Sequence, residues 1–346
     1  MMIKQGTTMG VKLIKFTIIL WLAGFLLAAC GKKETCREQP DVITTHVELE
    51  IERLESKILG ISSMDELITF FNKEPVIREY FFKRQEYPND SIFYNEILYR
   101  LTNPYIDSLR LEIEQHFVNL DDLEQQFEEA FSLMKHYFPE TVMPQIKTVA
   151  TGFDYDLYVS DTLIVIGLDY YMGKGAKYRP MDTYNYILAR YEERFIVPSV
   201  MLLYGISQRY NNMESSTETV LSDIITYGKA FYFAGRMLPC TPDSTLIWYS
   251  AEEAQNIKEN QDIVWAHFLE NQLLYQTDHL VKRKYIDERP KTFEIGPECP
   301  PRVGTWLGWE IVKQYMEKSD GVTLPQLMQT DDAQTIFDVA RYRPER

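Results

Sequence analysis

The apolar positions of the chain form their most continuous run between residues 196 and 210, which read IVPSVMLLYGISQRY. No charged residue occurs from Ile196 to Gln208. Pro198 suits the first turn of a helix, because the N–H that proline lacks has no intrahelical partner there. The apolar residues that follow cover nearly every face of that helix, which is typical of a buried helix. The pattern therefore predicts a helix over 198–210 that is enclosed in the core.

Two elements flank this helix, a strand within Leu163–Leu168 before it and a helix over Leu221–Phe233 after it. Most of the remaining chain shows helical spacing of apolar residues. Before residue 139 helices are predicted over 47–58, 64–72, 76–84, 91–101, 106–117 and 120–134. Runs rich in β-branched residues predict strands over 145–150, 157–159 and 162–170. Later helices are predicted over 184–194, 217–235, 251–260, 263–275, 304–317 and 332–342. The prediction is a mostly α (α+β) fold with a small sheet in the middle of the chain.

One predicted helix carries a strongly acidic run, DDLEQQFEEAF, over residues 121–131. Its apolar residues keep helical spacing, so one face of the helix packs against the core. The carboxylates fall on the other positions and are predicted to form a solvated face rather than a site.

The first 29 residues have the pattern of a bacterial lipoprotein signal peptide. Three lysines precede the apolar run Phe16–Leu27, which is short for a transmembrane helix. The run ends in Leu-Ala-Ala-Cys, so cleavage would leave Cys30 as an acylated N-terminus. Two or three acyl chains would anchor the protein stably. The alternative is an N-terminal membrane helix with an incidental cysteine. Residues 30–40 are then a tether, and 41–140 a helical N-terminal region.

The charge of the chain restricts its partners. The formal net charge is −15, and removal of the signal peptide, with its three lysines and no acids, makes it more negative. An acidic protein is repelled by nucleic acid and by an anionic membrane surface. Nucleic-acid binding is therefore excluded, and envelope proteins are the expected partners. The residues after Cys30 are Gly-Lys-Lys-Glu rather than an acidic run, which favours the periplasm-facing side of the outer membrane.

Three cysteines remain beyond Cys30, and the cell envelope permits disulfides. Cys240 and Cys299 both lie beside prolines in predicted loops and can pair with each other. Two separate thiols are the alternative, because sequence does not give the Cα separation.

The residues offer few candidates for catalysis. None of the five histidines lies four positions from another, so no helical zinc pair is present. Neither a G-x-S-x-G turn nor a Walker A loop occurs. Trp306 and Trp309 lie on one face of a predicted helix and indicate core packing. No cofactor and no metal are predicted.

The chain resembles the gliding-motility-associated lipoprotein GldB family of Bacteroidetes. The matching segments include the lipobox at Cys30, IGLDYYMG over 166–173, YGKA over 227–230 and, most specifically, PRVGTWLGWEIV over 301–312. They span nearly all of the mature chain in order. The resemblance implies an envelope lipoprotein needed by a motility and secretion apparatus, with no enzymatic activity.

The resemblance also implies a fold related to zincin peptidases, with a degenerate zincin-like domain over 141–346. Strand, buried helix and second helix follow one another as in those enzymes. Tyr204 and Gln208 would then fall near the two histidine ligands, and Tyr227 near the third ligand. None of these is a usual zinc ligand, so the three residues are predicted to mark a relic cleft without metal.

Two functions remain open. The first is a non-catalytic assembly or scaffold lipoprotein. The second is a peptide- or protein-binding module that uses the relic cleft, with an extended peptide added along the strand 162–170. An active hydrolase with an unfamiliar site is the least favoured hypothesis, because the sequence shows no recognisable arrangement of catalytic acid, base or nucleophile.

Overall fold

The structure, a computed structural model, describes residues 36–37, 45–181, 183–212 and 218–344. The predicted signal peptide, most of the predicted tether and Cys30 lie outside these residues. Arg37 and the described residues after it belong to one compact unit, so the division predicted between 41–140 and 141–346 stays a prediction.

The described part of the chain is mostly helical, with a small mixed sheet, as predicted. A π-helical turn at Ile77–Phe81 stands where a helix was predicted over 76–84. The helices, α1 to α15 in chain order, span Glu55–Leu59, Met64–Lys73, Asp90–Leu101, Ile106–His116, Asp121–Tyr137, Asn185–Leu188, Ile196–Ile206, Val220–Met237, Asp243–Leu246, Ala251–Glu259, Gln261–Glu270, His279–Ile286, Val303–Lys318, Leu324–Gln329 and Ala333–Ala340.

Four strands form the sheet: β1 (Ile51–Arg53), β2 (Gln145–Val149), β3 (Leu157–Val159) and β4 (Leu163–Gly167). Their order is β1-β2-β4-β3. The first three in that order are parallel, and β3 pairs antiparallel to β4 at the edge. Because β4 is hydrogen-bonded on both sides, it has no free edge. The prediction that an extended peptide adds along the strand 162–170 is therefore wrong.

The helix predicted over 47–58 is wrong in its first part, because Ile51–Arg53 form strand β1 and helix α1 begins only at Glu55. The backbone N–H groups of Val47, Leu49 and Ile51 donate to side chains of α5 at 2.8–3.0 Å. Their acceptors are Ser132, Glu128 and Glu124, which lie four residues apart on one helical face. Alternate N–H groups of an extended chain point the same way, so this face of α5 holds the segment extended.

The same contacts change the role of the acidic run. Asp121, Asp122 and Glu129 are exposed, as predicted for a solvated face. Glu124 and Glu128 are half-buried acceptors instead. Part of the acidic run therefore caps the outer edge of the sheet.

Helix α7 is mostly enclosed, as predicted: Ile196, Val197, Val200 and Met201 are fully buried, whereas Leu203 is exposed. It ends at Ile206, earlier than the predicted end at residue 210, because Ser207 leaves helical backbone angles. The amide of Asn211 donates to the carbonyls of Gly205 and Thr226, which stabilises the early end of the helix.

Helices α8 and α13 cross with their backbones in direct contact. A Cβ on Gly228 would lie 2.3 Å from the carbonyl oxygen of Gly308, and one on Gly308 would lie 1.8 Å from that of Ile224. Only glycine permits this approach. Trp306 and Trp309 are buried beside this crossing, which confirms their prediction as core residues. The two motifs 227–230 and 301–312 thus meet in the core.

Candidate functional site

Tyr204 lies in the core on α7. Its hydroxyl donates to the carbonyl of Ser160, in the turn between β3 and β4, at 2.8 Å. Its ring packs edge-on against Phe131 of α5 and Tyr210. Burial raises the pKa of the Tyr204 hydroxyl well above its ordinary value. The side chain therefore ties α7 to the sheet as a neutral hydrogen-bond donor.

Gln208 does not share a helical face with Tyr204. It lies beyond the end of α7, in a turn, and is exposed. Because α7 ends at Ile206, the four-residue spacing does not place the two side chains on one helical face.

Tyr227 is half-buried on α8, where burial raises the pKa of its hydroxyl. The charges that act on it are Asp223, Asp287 and Arg302. Those that act on Tyr204 are Asp161 and Arg209, beside the β3–β4 turn. The two tyrosines thus have different charged neighbours. The relic cleft formed by Tyr204, Gln208 and Tyr227 stays a prediction.

Sequence reasoning missed the buried charge of Lys229. This side chain of α8 is fully buried, and its ammonium donates to the carbonyls of Asn212 at 2.8 Å and Thr330 at 2.7 Å. Burial lowers its pKa to about 7, against a smaller opposing effect of Asp331. A charged residue inside an otherwise apolar helical face was the available signal. Lys229 joins α8 to two chain segments that are far apart in sequence.

Asp169 is a second buried charge that the sequence did not single out. One carboxylate oxygen accepts from the N–H groups of Thr151 and Phe153 and from the Thr151 hydroxyl. The other, Oδ1, has no partner among the described residues. Burial raises the pKa of this carboxyl to about 6, although the hydrogen bonds from Phe153 and Thr151 oppose the shift. Asp169 thus organises the loop that follows β2.

Replacing Asp169 with alanine is expected to lower the free energy of unfolding by about 3 kcal/mol, because three donors lose their acceptor. Asp169→Asn keeps one acceptor oxygen and should cost less than half as much. Urea unfolding of both variants measures the difference. Equal stability of the alanine variant and the wild type would contradict the role given to the carboxylate.

The predicted pairing of Cys240 with Cys299 is wrong. Cys299 is a free, buried thiol, whereas Cys240 is disulfide-bonded and therefore not a free thiol. The loop that carries Cys299 folds back on itself, since its N–H donates to Gly296 and its carbonyl accepts from Thr292. Burial raises the pKa of the Cys299 thiol to about 12, so it is an unreactive packing residue.

Within the ranges that the structure describes, no group of three or more His, Cys, Asp or Glu side chains is placed to hold a metal ion. His267 contacts the hydroxyl of Tyr285 at 2.9 Å, and burial lowers the pKa of its ring. None of the helices in the described part of the chain has the length and apolar character needed to cross a membrane.

These features define an α+β protein built on an enclosed helix and a four-stranded mixed sheet, in which the conspicuous polar side chains join structural elements. The family model described as "Gliding motility protein GldB" matches residues 35–344. The chain therefore belongs to this family of gliding-motility lipoproteins. No curated protein and no solved structure matches the chain.

Proposed function

We propose that the chain is a non-catalytic assembly or scaffold component of a motility or secretion apparatus in the cell envelope. The observation that carries this proposal is the position of Tyr204. Where the zincin comparison expects a metal ligand, this buried phenol is committed to the carbonyl of Ser160. Family membership supports the link to gliding motility. Envelope proteins are then the partners, and nucleic acid is not.

A degenerate zincin-like scaffold is part of the same proposal. The order of β4, enclosed α7 and then α8 supports it, together with the antiparallel edge strand β3. The packing of α7 against α8 supports loss of the metal site, because the buried residues of α7 are apolar or tyrosine and the buried Lys229 of α8 donates to the backbone carbonyls of Asn212 and Thr330. The side chains of this region therefore stabilise the fold and offer a metal ion no ligand set.

The non-catalytic role is tested by metal analysis and peptide cleavage on the same preparation. Zinc content should stay far below one ion per chain, and unstructured peptides should remain intact. Stoichiometric zinc with cleavage, both lost in Tyr227→Phe, would overturn the proposal. Tyr99→Phe, a change to an exposed tyrosine of α3, is the matched control.

Anchoring through an acylated Cys30 is the second part of the proposal. Cys30→Ser removes the only thiol that a lipoprotein signal can acylate, so the variant should move from the membrane fraction to the soluble fraction. Cys299→Ser, which changes a buried thiol, is the control and should stay with the membrane. A Cys30→Ser variant that still fractionates with membranes would contradict the lipoprotein signal.

A peptide- or protein-binding module is the second candidate. A groove of about 550 Å³ favours it, lined by β1, α1 and α2 residues that include Glu52, Lys57, Phe70 and Lys73. Tyr204, Gln208 and Tyr227, which were predicted for the relic cleft, are not among its lining residues. Recovery of varied exported polypeptides, rather than one envelope assembly, would favour the binding module over the scaffold.

A further inference from the structure

Four side chains from distant parts of the chain form a charged cluster, which we call the arginine cluster: Arg190, Trp248, Glu288 and Arg302. Arg190 follows α6, Trp248 follows α9, Glu288 follows α12, and Arg302 is the residue before α13. The guanidinium carbons of Arg190 and Arg302 lie 5.3 Å and 5.1 Å from the centre of the Trp248 ring. The indole thus holds two cations at close range.

Glu288 is the carboxylate of the cluster. Its two oxygens accept from the two terminal nitrogens of Arg190, which is a bidentate arrangement. One of them also lies 3.4 Å from Nε of Arg302. Two guanidinium groups therefore share one carboxylate, and the cluster carries one positive charge in excess.

Three buried N–H groups of the cluster have no hydrogen-bond partner among the described residues: Nε of Arg190, Nε1 of Trp248 and Nε of Arg302, whose 3.4 Å ion-pair contact with Glu288 lacks hydrogen-bond geometry. Buried donors in folded proteins are nearly always paired, so three in one cluster call for an acceptor. Two guanidinium groups and an indole N–H are donors only, and together they suit an oxyanion.

The backbone of the cluster is also strained. Trp248 and Arg302 both have positive φ angles, 58° and 52°, although neither is glycine. Such angles persist where the surrounding structure imposes them, and they concentrate at ligand-binding sites. Burial and the charge of Arg190 lower the pKa of Arg302 to about 10, so it remains a cation at neutral pH.

We propose that Arg190, Trp248 and Arg302 form a binding site for an oxyanion, a carboxylate or a phosphate, and that Glu288 is an internal carboxylate that competes for it. Glu288 is the outermost charged member, with 31% of its side chain exposed, against 15% for Arg190 and 7% for Arg302. An incoming anion displaces the Glu288 carboxylate and accepts from the unpaired donors. This inference is independent of the scaffold role and of zinc.

Isothermal titration calorimetry of the full-length protein tests the site, with inorganic phosphate and N-acetylglycine as probes at constant ionic strength. Glu288→Gln removes the competing charge, so binding should tighten by about tenfold or more. Arg190→Gln should weaken it by a similar factor. Trp248→Phe keeps an aromatic ring but lacks the indole N–H, and it should bind more weakly than the wild type.

Arg209→Gln, which changes an exposed arginine paired with Asp161, is the matched control and should leave binding unchanged. Binding of phosphate alone identifies a phosphate site, and binding of N-acetylglycine alone identifies a carboxylate site. If neither phosphate nor N-acetylglycine binds to folded Glu288→Gln protein, the proposal is overturned. Equal affinities of the wild type, Glu288→Gln and Trp248→Phe would overturn it too.

Discussion

Replacement of Gly308 by alanine is expected to lower the free energy of unfolding by about 3 kcal/mol or more, a loss typical of severe overpacking. The added Cβ would lie 1.8 Å from the carbonyl oxygen of Ile224 and 2.4 Å from its carbon. Both are backbone atoms of α8, so no side chain can rotate away. The helices α8 and α13 must separate, and the Trp309 ring that stacks on Phe231 must move with them.

Urea unfolding measures this loss, with Gly296→Ala as the matched control. A Cβ on Gly296 meets no atom within 4 Å, and its φ is not positive. The control variant should therefore unfold at a urea concentration close to that of the wild type. Similar midpoints for Gly308→Ala and Gly296→Ala would contradict the backbone contact between the two helices.

Lys229→Met should lower the free energy of unfolding by about 3 kcal/mol at pH 9, because the carbonyls of Asn212 and Thr330 lose a buried donor. The pKa of Lys229 is lowered from 10.5 to about 7 in the folded protein. Above pH 7 the unfolded chain therefore binds this proton more tightly than the folded protein does. Stability then rises with pH through this interval, by at most about 1.4 kcal/mol per pH unit.

The Lys229→Met variant lacks this pH-dependent stabilisation. The difference in free energy of unfolding between the variant and the wild type should therefore be smaller at pH 7 than at pH 9. Urea unfolding at both pH values, at one ionic strength, measures the change. Lys258→Met, which replaces an exposed lysine of α10, should show the wild-type pH dependence. If Lys229→Met also shows the wild-type pH dependence of stability, Lys229 does not titrate between pH 7 and pH 9, and the prediction is contradicted.

Much of the fold follows from local patterns of apolar residues. The predicted helices over 64–72, 106–117 and 304–317 match α2, α4 and α13 within one or two residues at each end. The strands β2 and β3 match their predicted ranges similarly. In these segments the periodicity and the tertiary packing favour the same element, so local reasoning succeeds.

The errors arise where distant residues decide the structure. Strand β1 has three residues, and side chains of α5, some 80 positions later, hold its approach extended. The end of α7 depends on Asn211, whose amide bridges two helices. Neither contact leaves a periodic signal in the sequence.

The candidate sites also depend on contacts between residues that are distant in sequence. Tyr204 and Tyr227 were singled out from motif order, but their partners come from different elements. The arginine cluster draws on positions 190, 248, 288 and 302, each of which is an ordinary surface charge or loop aromatic when considered alone. Only the packing of four loops brings its unpaired donors together.

Copurification after crosslinking in intact cells is the most direct test of the proposed scaffold role. The Cys30-anchored protein should recover one recurrent set of envelope proteins, and the Cys30→Ser variant should recover much less of it. Recovery of the anchored protein alone, without a recurrent envelope partner, would contradict the account.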